Sequence, residues 1–342
     1  MRVADLSTDI VILGAGVLGL SVAAELSARG HDVRLIDPGG PNASSVAAGM
    51  IAPAFESLLD GADTTRAALL RDAAALWPAF AETHGLALDS TPAEWRGPAP
   101  ESVTDALIAL GFVAERRVEA VVASGDIRVD PAQAMTRLSG RLAERPIAST
   151  ATAVSAHPDA WTVFTAAGAI RARQMVLATG VASPLPGLPE PVARAVSVVR
   201  PIAGQIGFVD APLTDRVVRG PGGYVVPAGQ GALIGATMVE RQSPATVDPA
   251  ACARLIAQAE ALTRRPIDAP VEWRAAVRGA TPDGLPLAGP ASRGLHLALA
   301  PRRNGWLLAP LVARTVVDSI EGRPRGPHAA ALDPLRFNPR AG

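Results

Sequence analysis

A glycine-rich turn between a buried strand and a helix constrains this chain more than any other feature. Asp9–Leu13 is a continuous β-prone run, which is typical of a strand buried on both faces of a parallel sheet. It leads into the turn Gly14–Gly19 and then into a helical stretch that reaches Ala28. Gly30 closes the helix, and a second strand over His31–Asp37 ends in a carboxylate. This complete βαβ unit predicts a Rossmann-type dinucleotide site.

Each residue type in this unit has a physical role at such a site. Gly14 permits the tight turn, Gly16 lets a pyrophosphate approach the backbone, and Gly19 lets the helix and strand pack closely. The helix N-terminus adds partial positive charge near the phosphates. Asp37 would accept hydrogen bonds from ribose hydroxyls and repel the 2′-phosphate of NADP, which leaves NAD or FAD. The contacts expected here are Gly14, Gly16, Val17, Leu18, Gly19 and Asp37.

Small residues dominate the segment after the second strand, Pro41–Pro53. Small side chains allow a backbone to lie against a flat ring, and the hydroxyls of Ser44 and Ser45 can donate to phosphate. Thr179 and Gly180 end a later predicted strand in the same way. This composition favours a cofactor-binding loop, and an ordinary surface loop is the alternative.

Length and composition limit the function classes. A chain of 342 residues exceeds one average domain, so we expect two domains. Basic and acidic residues both total 32, which leaves no basic surplus for nucleic acid. Every basic residue in that total is arginine, so the chain has neither a Schiff-base lysine nor a P-loop lysine.

The single cysteine, Cys252, excludes an intramolecular disulfide and a cysteine-rich zinc site. It lies in a predicted helix, where a buried structural thiol is the simplest interpretation. No apolar run approaches the roughly 20 residues that span a bilayer, and no signal peptide is evident. We therefore expect a cytoplasmic protein without a metal site. We also expect the Pro- and Arg-rich tail after Gly322 to be poorly ordered.

Three further residues suggest an anion site. Tyr224, the only tyrosine, opens a predicted strand, and Arg278 and Arg303 lie in glycine-containing segments. An arginine fork matches a carboxylate with two parallel hydrogen bonds, and a phenol adds one more donor. In a chain with this many arginines, composition alone favours a surface or salt-bridge role for each of them.

Taken in order, these segments resemble the D-amino-acid oxidase superfamily, most closely its glycine oxidase branch, over nearly the whole chain. Two of the shared motifs are Arg-x-x-Thr-x-Asp-Gly-x-Pro and Arg-Asn-Gly-x-Leu-Leu-Ala-Pro. The others are a small-residue loop and a Tyr-x-x-Pro strand followed by Gly-Ala-Thr-Met. The segments that carry the resemblance are Ser45–Met50, Tyr224–Pro227, Gly235–Met238, Arg278–Pro286 and Arg303–Pro310.

The resemblance implies an α/β fold with an α+β second domain: a Rossmann-type FAD-binding domain and an interleaved antiparallel-sheet substrate domain. It places the FAD-binding domain at residues 1–75, 125–190 and 285–342. The substrate-binding domain would then comprise residues 76–124 and 191–284. A homo-oligomer is compatible with this arrangement.

The resemblance also implies non-covalent FAD and assigns residues to it. Tyr224 and Arg278 would clamp a substrate carboxylate, while Arg303 and Met238 complete the pocket. Besides the glycine turn and Asp37, the residues assigned to the cofactor are Ser44, Ser45, Ala48, Gly49, Met50, Val154, Thr179, Gly180, Arg303, Asn304, Gly305, Trp306 and Leu307.

The activity implied is oxidative deamination of a small amino acid or amine. A hydride would pass from Cα to flavin N5, and the imino acid would hydrolyse to an oxo acid and ammonia. Oxygen would reoxidise the flavin and yield hydrogen peroxide. The alternatives are a D-amino-acid or secondary-amine dehydrogenase with another electron acceptor, and a non-catalytic flavin-binding protein.

Two departures from the family pattern leave the substrate open. Ala300-Pro301 stands where relatives usually carry Gly-His, and Gly279 replaces a common proline after the clamp arginine. The absence of lysine disfavours the sarcosine oxidase branch, which uses a lysine near the flavin.

Overall fold

The computed structural model describes residues 3–339 and contains ten helices and twenty strands within that range. The helices are α1 (Val17–Ala28), α2 (Pro53–Leu59), α3 (Thr64–Ala75), α4 (Trp77–His84), α5 (Pro100–Ala109), α6 (Pro131–Ser139), α7 (Glu190–Ser197), α8 (Pro249–Thr263), α9 (Gly305–Ile320) and α10 (Ala329–Leu332). The first ten strands are β1 (Val3–Leu13), β2 (Val33–Asp37), β3 (Met50–Ile51), β4 (Leu88–Asp89), β5 (Ala93–Trp95), β6 (Ala114–Arg116), β7 (Val121–Ala123), β8 (Ile127–Val129), β9 (Ile147–Ala148) and β10 (Ala151–His157). The others are β11 (Ala160–Thr165), β12 (Gly168–Leu177), β13 (Arg200–Val209), β14 (Val218–Gly220), β15 (Gly223–Ala228), β16 (Gly231–Gly235), β17 (Val239–Glu240), β18 (Val271–Ala280), β19 (Leu287–Ser292) and β20 (Leu295–Leu299).

The chain divides into two compact units. The first contains the residues up to Ser44, Met135–Pro201 and the residues from Arg278 onward. The second contains Ser45–Ala134 and Ile202–Val277. Each unit is therefore assembled from separated stretches of the chain.

The first unit is an α/β sheet in the order β10-β11-β12-β1-β2-β9. β1 pairs in parallel with both β2 and β12, and β20 pairs in parallel with β12. Helix α1 connects β1 to β2 and packs against α9, which explains why most of its residues are buried. The predicted Rossmann-type βαβ unit is confirmed, and β1 begins earlier than the predicted strand.

The second unit contains a sheet in the order β17-β13-β16-β15-β14-β5-β7-β6, with β18 beside β13. Neighbouring strands such as β14, β15 and β16 are antiparallel, while β14 and β5 are parallel. A small antiparallel sheet, β3-β8-β4, accompanies it. The predicted fold class, α/β with a second domain built on an antiparallel sheet, is confirmed.

The unit boundaries differ from those expected from the sequence. Residues 45–75 and 125–134 belong to the second unit, and residues 191–201 and 278–284 belong to the first. The physical reason is local packing: α2 contacts α3 and α5, and its Phe55 lies in the same hydrophobic core as Trp95 and Val226.

Residues 323–339 of the tail are ordered, contrary to the sequence expectation. Leu332 is fully buried against the first unit. The guanidinium of Arg336 donates to both carboxylate oxygens of Asp283, each at 2.9 Å, and to the carbonyl of Leu285 at 2.8 Å. A composition rich in proline and arginine therefore does not show that Arg336 binds Asp283 and Leu285 specifically.

Candidate functional site

The candidate cofactor site of the first unit forms where three parallel strands end together. Leu13 of β1 pairs with Ile36 of β2 and with Leu177 of β12. The amide of Gly14 donates to Ile36 at 2.8 Å, and the amide of Ala178 donates to Leu13 at 2.8 Å. Because ligands of open α/β sheets bind beyond the carboxyl ends of the strands, this edge is the expected position of a dinucleotide.

The three glycines of the turn are required for different reasons. A Cβ at Gly14 would lie 2.3 Å from the carbonyl oxygen of Ala178, and one at Gly19 would lie 2.0 Å from the carbonyl oxygen of Gly14. Packing of the protein itself therefore excludes side chains at both positions. A Cβ at Gly16 would meet only the hydroxyl of Ser44, at 3.4 Å. The missing side chain at Gly16 leaves room for a ligand to approach, which fits the pyrophosphate of FAD.

Asp37 and Ser44 hold the same turn from two sides. The carboxylate of Asp37 accepts hydrogen bonds from the amides of Ala15 and Gly39, both at 2.7 Å. The Ser44 hydroxyl accepts from the amide of Val17 at 2.9 Å and so caps α1, whose N-cap residue is a glycine. A hydroxyl that accepts one bond can still donate its hydrogen, and each carboxylate oxygen has a further lone pair. Both groups can therefore bind a cofactor as well as the turn.

The start of α9 lies beside this turn. The indole Nε1 of Trp306 donates to the carbonyl of Ser44 at 3.2 Å, and Asn304 is buried ahead of the helix. The first amides of a helix point away from its own carbonyls and carry partial positive charge. The segment Arg303–Leu307 thus offers backbone donors near Ser44, at the start of α9.

The clamp candidate Arg278 and the pocket candidate Arg303 lie on adjoining backbone segments of this unit. The amide of Arg302 donates to Gly279 at 2.8 Å, and Ala280 forms a β-bridge with Pro301. Ala300 adopts a φ of +60°, a region that favours glycine. The alanine that replaces the family's glycine therefore keeps a left-handed backbone.

Val154, which the resemblance places near the cofactor, lies on β10 of the first unit. Its side chain is buried in the core of the first unit, and its amide donates to Pro186 at 2.8 Å. Gly187 lies so close that a Cβ there would be 1.7 Å from the Val154 carbonyl oxygen. Both backbone groups of Val154 thus face protein. Thr179 and Gly180 follow β12, and Gly180 is exposed with a φ of +65°.

The second unit brings other predicted residues into one hydrophobic cluster. Ala48 is buried there, and Met50 and Tyr224 are half-buried against it. Gly49 packs on β8, since a Cβ would lie 2.0 Å from the carbonyl oxygen of Val129. Ser45, just before these residues, is exposed.

The ring of Tyr224 lies against Gly235 of the neighbouring strand. It pairs with Gly235 of β16, and a Cβ at Gly235 would be 2.6 Å from the phenol oxygen. Met238 is half-buried in the segment after β16. Thr237 anchors that segment, because its hydroxyl accepts from the amide of Gln205 at 3.0 Å and its amide donates to the Gln205 carbonyl at 3.3 Å.

A buried charged cluster of the second unit is missing from the sequence-based expectations. We call Asp126, Glu56 and Arg219 the acid cluster; all three are at least nine-tenths buried. Burial, the larger cause, and the Glu56 carboxylate together raise the pKa of Asp126 to about 7. The residues next to Asp126 in the sequence indicate a surface turn, so no local pattern predicts that Asp126 is a buried acid.

Residues 3–339 contain neither a candidate membrane helix nor a candidate metal cluster. No helix within residues 3–339 is long and apolar enough to cross a membrane. Within the same residues, no group of three or more His, Cys, Asp or Glu side chains is arranged to hold a metal ion.

Comparison with known proteins identifies the family. The family model DAO, described as FAD dependent oxidoreductase, matches residues 9–319. Glycine oxidase of Geobacillus kaustophilus is 29% identical over 92% of this chain and 93% of its own length. The tRNA 5-methylaminomethyl-2-thiouridine biosynthesis bifunctional protein MnmC of Caulobacter sp. (strain K31) is 30% identical over 97% of this chain. The chain spans 58% of that relative's length.

The solved structures agree with this assignment. The crystal structure of glycine oxidase from Geobacillus kaustophilus covers 98% of this chain with a TM-score of 0.84 and 25% identity, and all of that chain is matched. The match to the family model spans most of the sequence and includes the glycine turn, the Tyr224 strand and both arginine motifs. The chain therefore belongs to the DAO family of FAD-dependent oxidoreductases.

Proposed function

We propose that this protein oxidises a small amino acid or amine that carries a carboxylate, and that oxygen reoxidises its flavin to give hydrogen peroxide. One observation carries the choice of substrate class. Arg278 and Arg303 lie on adjoining segments of one unit, joined by the hydrogen bond from Arg302 to Gly279 at 2.8 Å. Two arginines on adjoining backbone segments favour a carboxylate-bearing substrate, because guanidinium groups bind carboxylates with paired, charge-assisted hydrogen bonds.

The proposed roles follow from the donor types. Arg278 binds the substrate carboxylate with two hydrogen bonds, and the phenol of Tyr224 donates a third. Arg303 and Met238 complete the pocket and limit the size of the substrate. These residues orient the Cα–H bond and hold the amine, which is the contribution that such a reaction requires from the protein.

The proposed FAD site uses the residues at the strand ends of the first unit. Gly14, Gly16 and the start of α1 bind the pyrophosphate, and Asp37 binds the ribose. Ala48, Gly49 and Met50 border the flavin ring, while amides of Gly305, Trp306 and Leu307 donate to its pyrimidine edge. When bound, FAD supplies the hydride acceptor.

We expect the FAD to be released by acid. Cys252 lies on α8, where its sulfur accepts a hydrogen bond from the Gln205 side chain at 3.2 Å. The family resemblance places no covalent flavin attachment at that residue. Acid precipitation should leave a yellow supernatant that has the mass of FAD. Flavin that stays with the precipitated chain would contradict the non-covalent assignment.

Anaerobic bleaching of the bound flavin by a panel of amines tests the proposed function. Bleaching by glycine or N-methylglycine, followed by peroxide formation when air is admitted, is the expected result. Bleaching without peroxide supports a dehydrogenase with another electron acceptor. A flavin that no amino acid or amine bleaches overturns the proposed activity and favours a non-catalytic flavin protein.

Gly235→Ala should impair substrate binding through Tyr224. The new Cβ would lie 2.6 Å from the phenol oxygen and 2.7 Å from the adjacent ring carbon, so the ring must move. Loss of one hydrogen bond to a charged carboxylate should raise KM about tenfold, since such bonds contribute roughly 1.5–3 kcal/mol. Steady-state kinetics at saturating oxygen measure this change.

Gly125→Ala is the matched control for that substitution. A Cβ at Gly125 meets no atom within 4 Å, and its φ carries no strain for alanine. KM should then equal that of the unmodified protein. Equal KM values for Gly235→Ala and Gly125→Ala would show that Tyr224 does not contact the substrate.

A further inference from the structure

The acid cluster lies directly behind a segment assigned to the flavin. The carboxylate of Asp126 accepts from the amides of Ala54 at 2.9 Å and Phe55 at 3.1 Å. These are the first amides of α2, whose N-cap residue, Ala52, has no side chain that could bond to them. Asp126 therefore caps α2 from a distant part of the sequence.

The residues that follow Asp126 hold the same segment from its other end. Ile127 and Arg128 of β8 pair with Ile51 and Met50 of β3, and the amide of Val129 donates to Gly49 at 2.9 Å. The stretch Gly49–Ala52 is thus fixed along its length by residues 126–129.

The charges of the cluster are unequal. Arg219 of β14 donates to the Glu56 carboxylate of α2 at 2.6 Å, and both side chains are buried. Asp126 adds a second buried carboxylate to this single guanidinium. Because a buried charge without a full counter-charge is costly, the cluster should retain a proton near neutral pH.

Other charged groups near Asp126 are already paired. Arg128 of β8 donates to the Asp89 carboxylate of β4 at 2.9 Å. The charged groups that act on Asp126 are then Glu56 on α2 and Arg219 on β14. The amides of Ala54 and Phe55 lower its pKa, and so does Arg219, but burial outweighs them and the pKa reaches about 7.

We propose that Asp126 is a positioning residue for the flavin. It fixes Gly49–Ala52 through the cap of α2, and its ionisation sets how firmly that segment is held. This inference rests on the proposed placement of Gly49 and Met50 beside the flavin ring. Because the packed segment raises the pKa of Asp126 above that of an exposed carboxyl, ionisation favours release of the segment into water, so the segment should be most firmly held below pH 7.

FAD titrations from pH 6 to pH 8 test this proposal without any substrate. The unmodified protein should bind FAD several-fold more tightly at pH 6 than at pH 8. Asp126→Asn should bind FAD about tenfold more weakly than the unmodified protein at pH 6, because its NH2 group cannot accept a hydrogen bond from a backbone amide. Its flavin should show an altered visible circular dichroism, and its FAD affinity should not depend on pH. An Asp126→Asn variant that matches the unmodified protein in all three respects overturns the proposal.

Asp63→Ala controls for a general loss of stability. Asp63 caps α3 in the same unit, where its carboxylate accepts from the amide of Arg66 at 2.7 Å. Its loss should lower stability without changing FAD affinity by more than twofold. Equal weakening of FAD binding by Asp63→Ala and Asp126→Asn would assign Asp126 a purely structural role and overturn the proposal.

Glu56→Gln keeps the proposal testable if Asp126→Asn does not fold. Removing the Glu56 charge lowers the pKa of Asp126, because that charge raises it. The midpoint of the pH-dependent FAD affinity should then move to lower pH. An unchanged midpoint overturns the proposal. Absence of amine oxidation in the unmodified protein would reject the proposed function and leave this FAD-binding result intact.

Discussion

Arg278→Ala should abolish the proposed preference for an amino acid over the matching amine without a carboxylate. We expect kcat/KM for N-methylglycine to fall roughly 10²–10⁴-fold, which is a loss of about 3–5 kcal/mol in transition-state stabilisation. The rate of dimethylamine oxidation should change little, because that amine has no carboxylate for Arg278 to bind. FAD content should stay normal, since Arg278 is not assigned to the cofactor.

The size of this effect follows from the geometry of a guanidinium. Its planar fork makes two parallel hydrogen bonds to a carboxylate, and in a desolvated site each charge-assisted bond is stronger than a neutral one. An alanine leaves the carboxylate without its counter-charge. Arg278→Lys should also be damaging, because an ammonium cannot reproduce the planar pair of bonds.

Arg274→Ala is the matched control. Arg274 lies on the same strand, β18, and pairs with Glu272 at 2.8 Å on an exposed surface. Exposed ion pairs contribute little, so its removal should leave the discrimination unchanged. An Arg278→Ala variant that still prefers N-methylglycine as strongly as Arg274→Ala does would place the anion site elsewhere.

The sequence predicts the first unit well because its key contacts are local. The strand, the glycine turn and the helix are contiguous, and Gly19 is needed for packing within that stretch, because its Cβ would meet the carbonyl oxygen of Gly14. The same locality holds for Asp130, whose carboxylate accepts from the amide of Gln133 at 3.0 Å at the start of α6. Residue types therefore indicate local features such as tight turns and helix caps directly.

Long-range partners are not predictable in this way. Asp126 caps a helix that begins 73 residues earlier in the chain, at Pro53, and Arg336 docks on Asp283 from a tail whose composition suggests disorder. In each case the tertiary fold determines the hydrogen-bond partner, and no local sequence pattern indicates it.

Gly16→Ala should weaken FAD binding about 10²-fold while leaving the stability of the apoprotein unchanged. The backbone at Gly16 is extended, so alanine adopts it without strain, and its Cβ meets only the Ser44 hydroxyl, at 3.4 Å. The methyl group instead occupies the space through which a pyrophosphate reaches the amides of α1. Hydrogen bonds to charged groups contribute roughly 1.5–3 kcal/mol each, so lengthening one or two of them produces a loss of this size.

Gly19→Ala should behave in the opposite way, and the contrast tests the assignment of Gly16. A Cβ at Gly19 would lie 2.0 Å from the carbonyl oxygen of Gly14, so the apoprotein should lose about 1–3 kcal/mol or more in its free energy of unfolding. Gly326→Ala, in open space within the same unit, should change neither quantity. Urea unfolding of the apoproteins and FAD titration measure the two effects separately. A Gly16→Ala variant that binds FAD as tightly as Gly326→Ala would show that the pyrophosphate does not approach the backbone at this glycine.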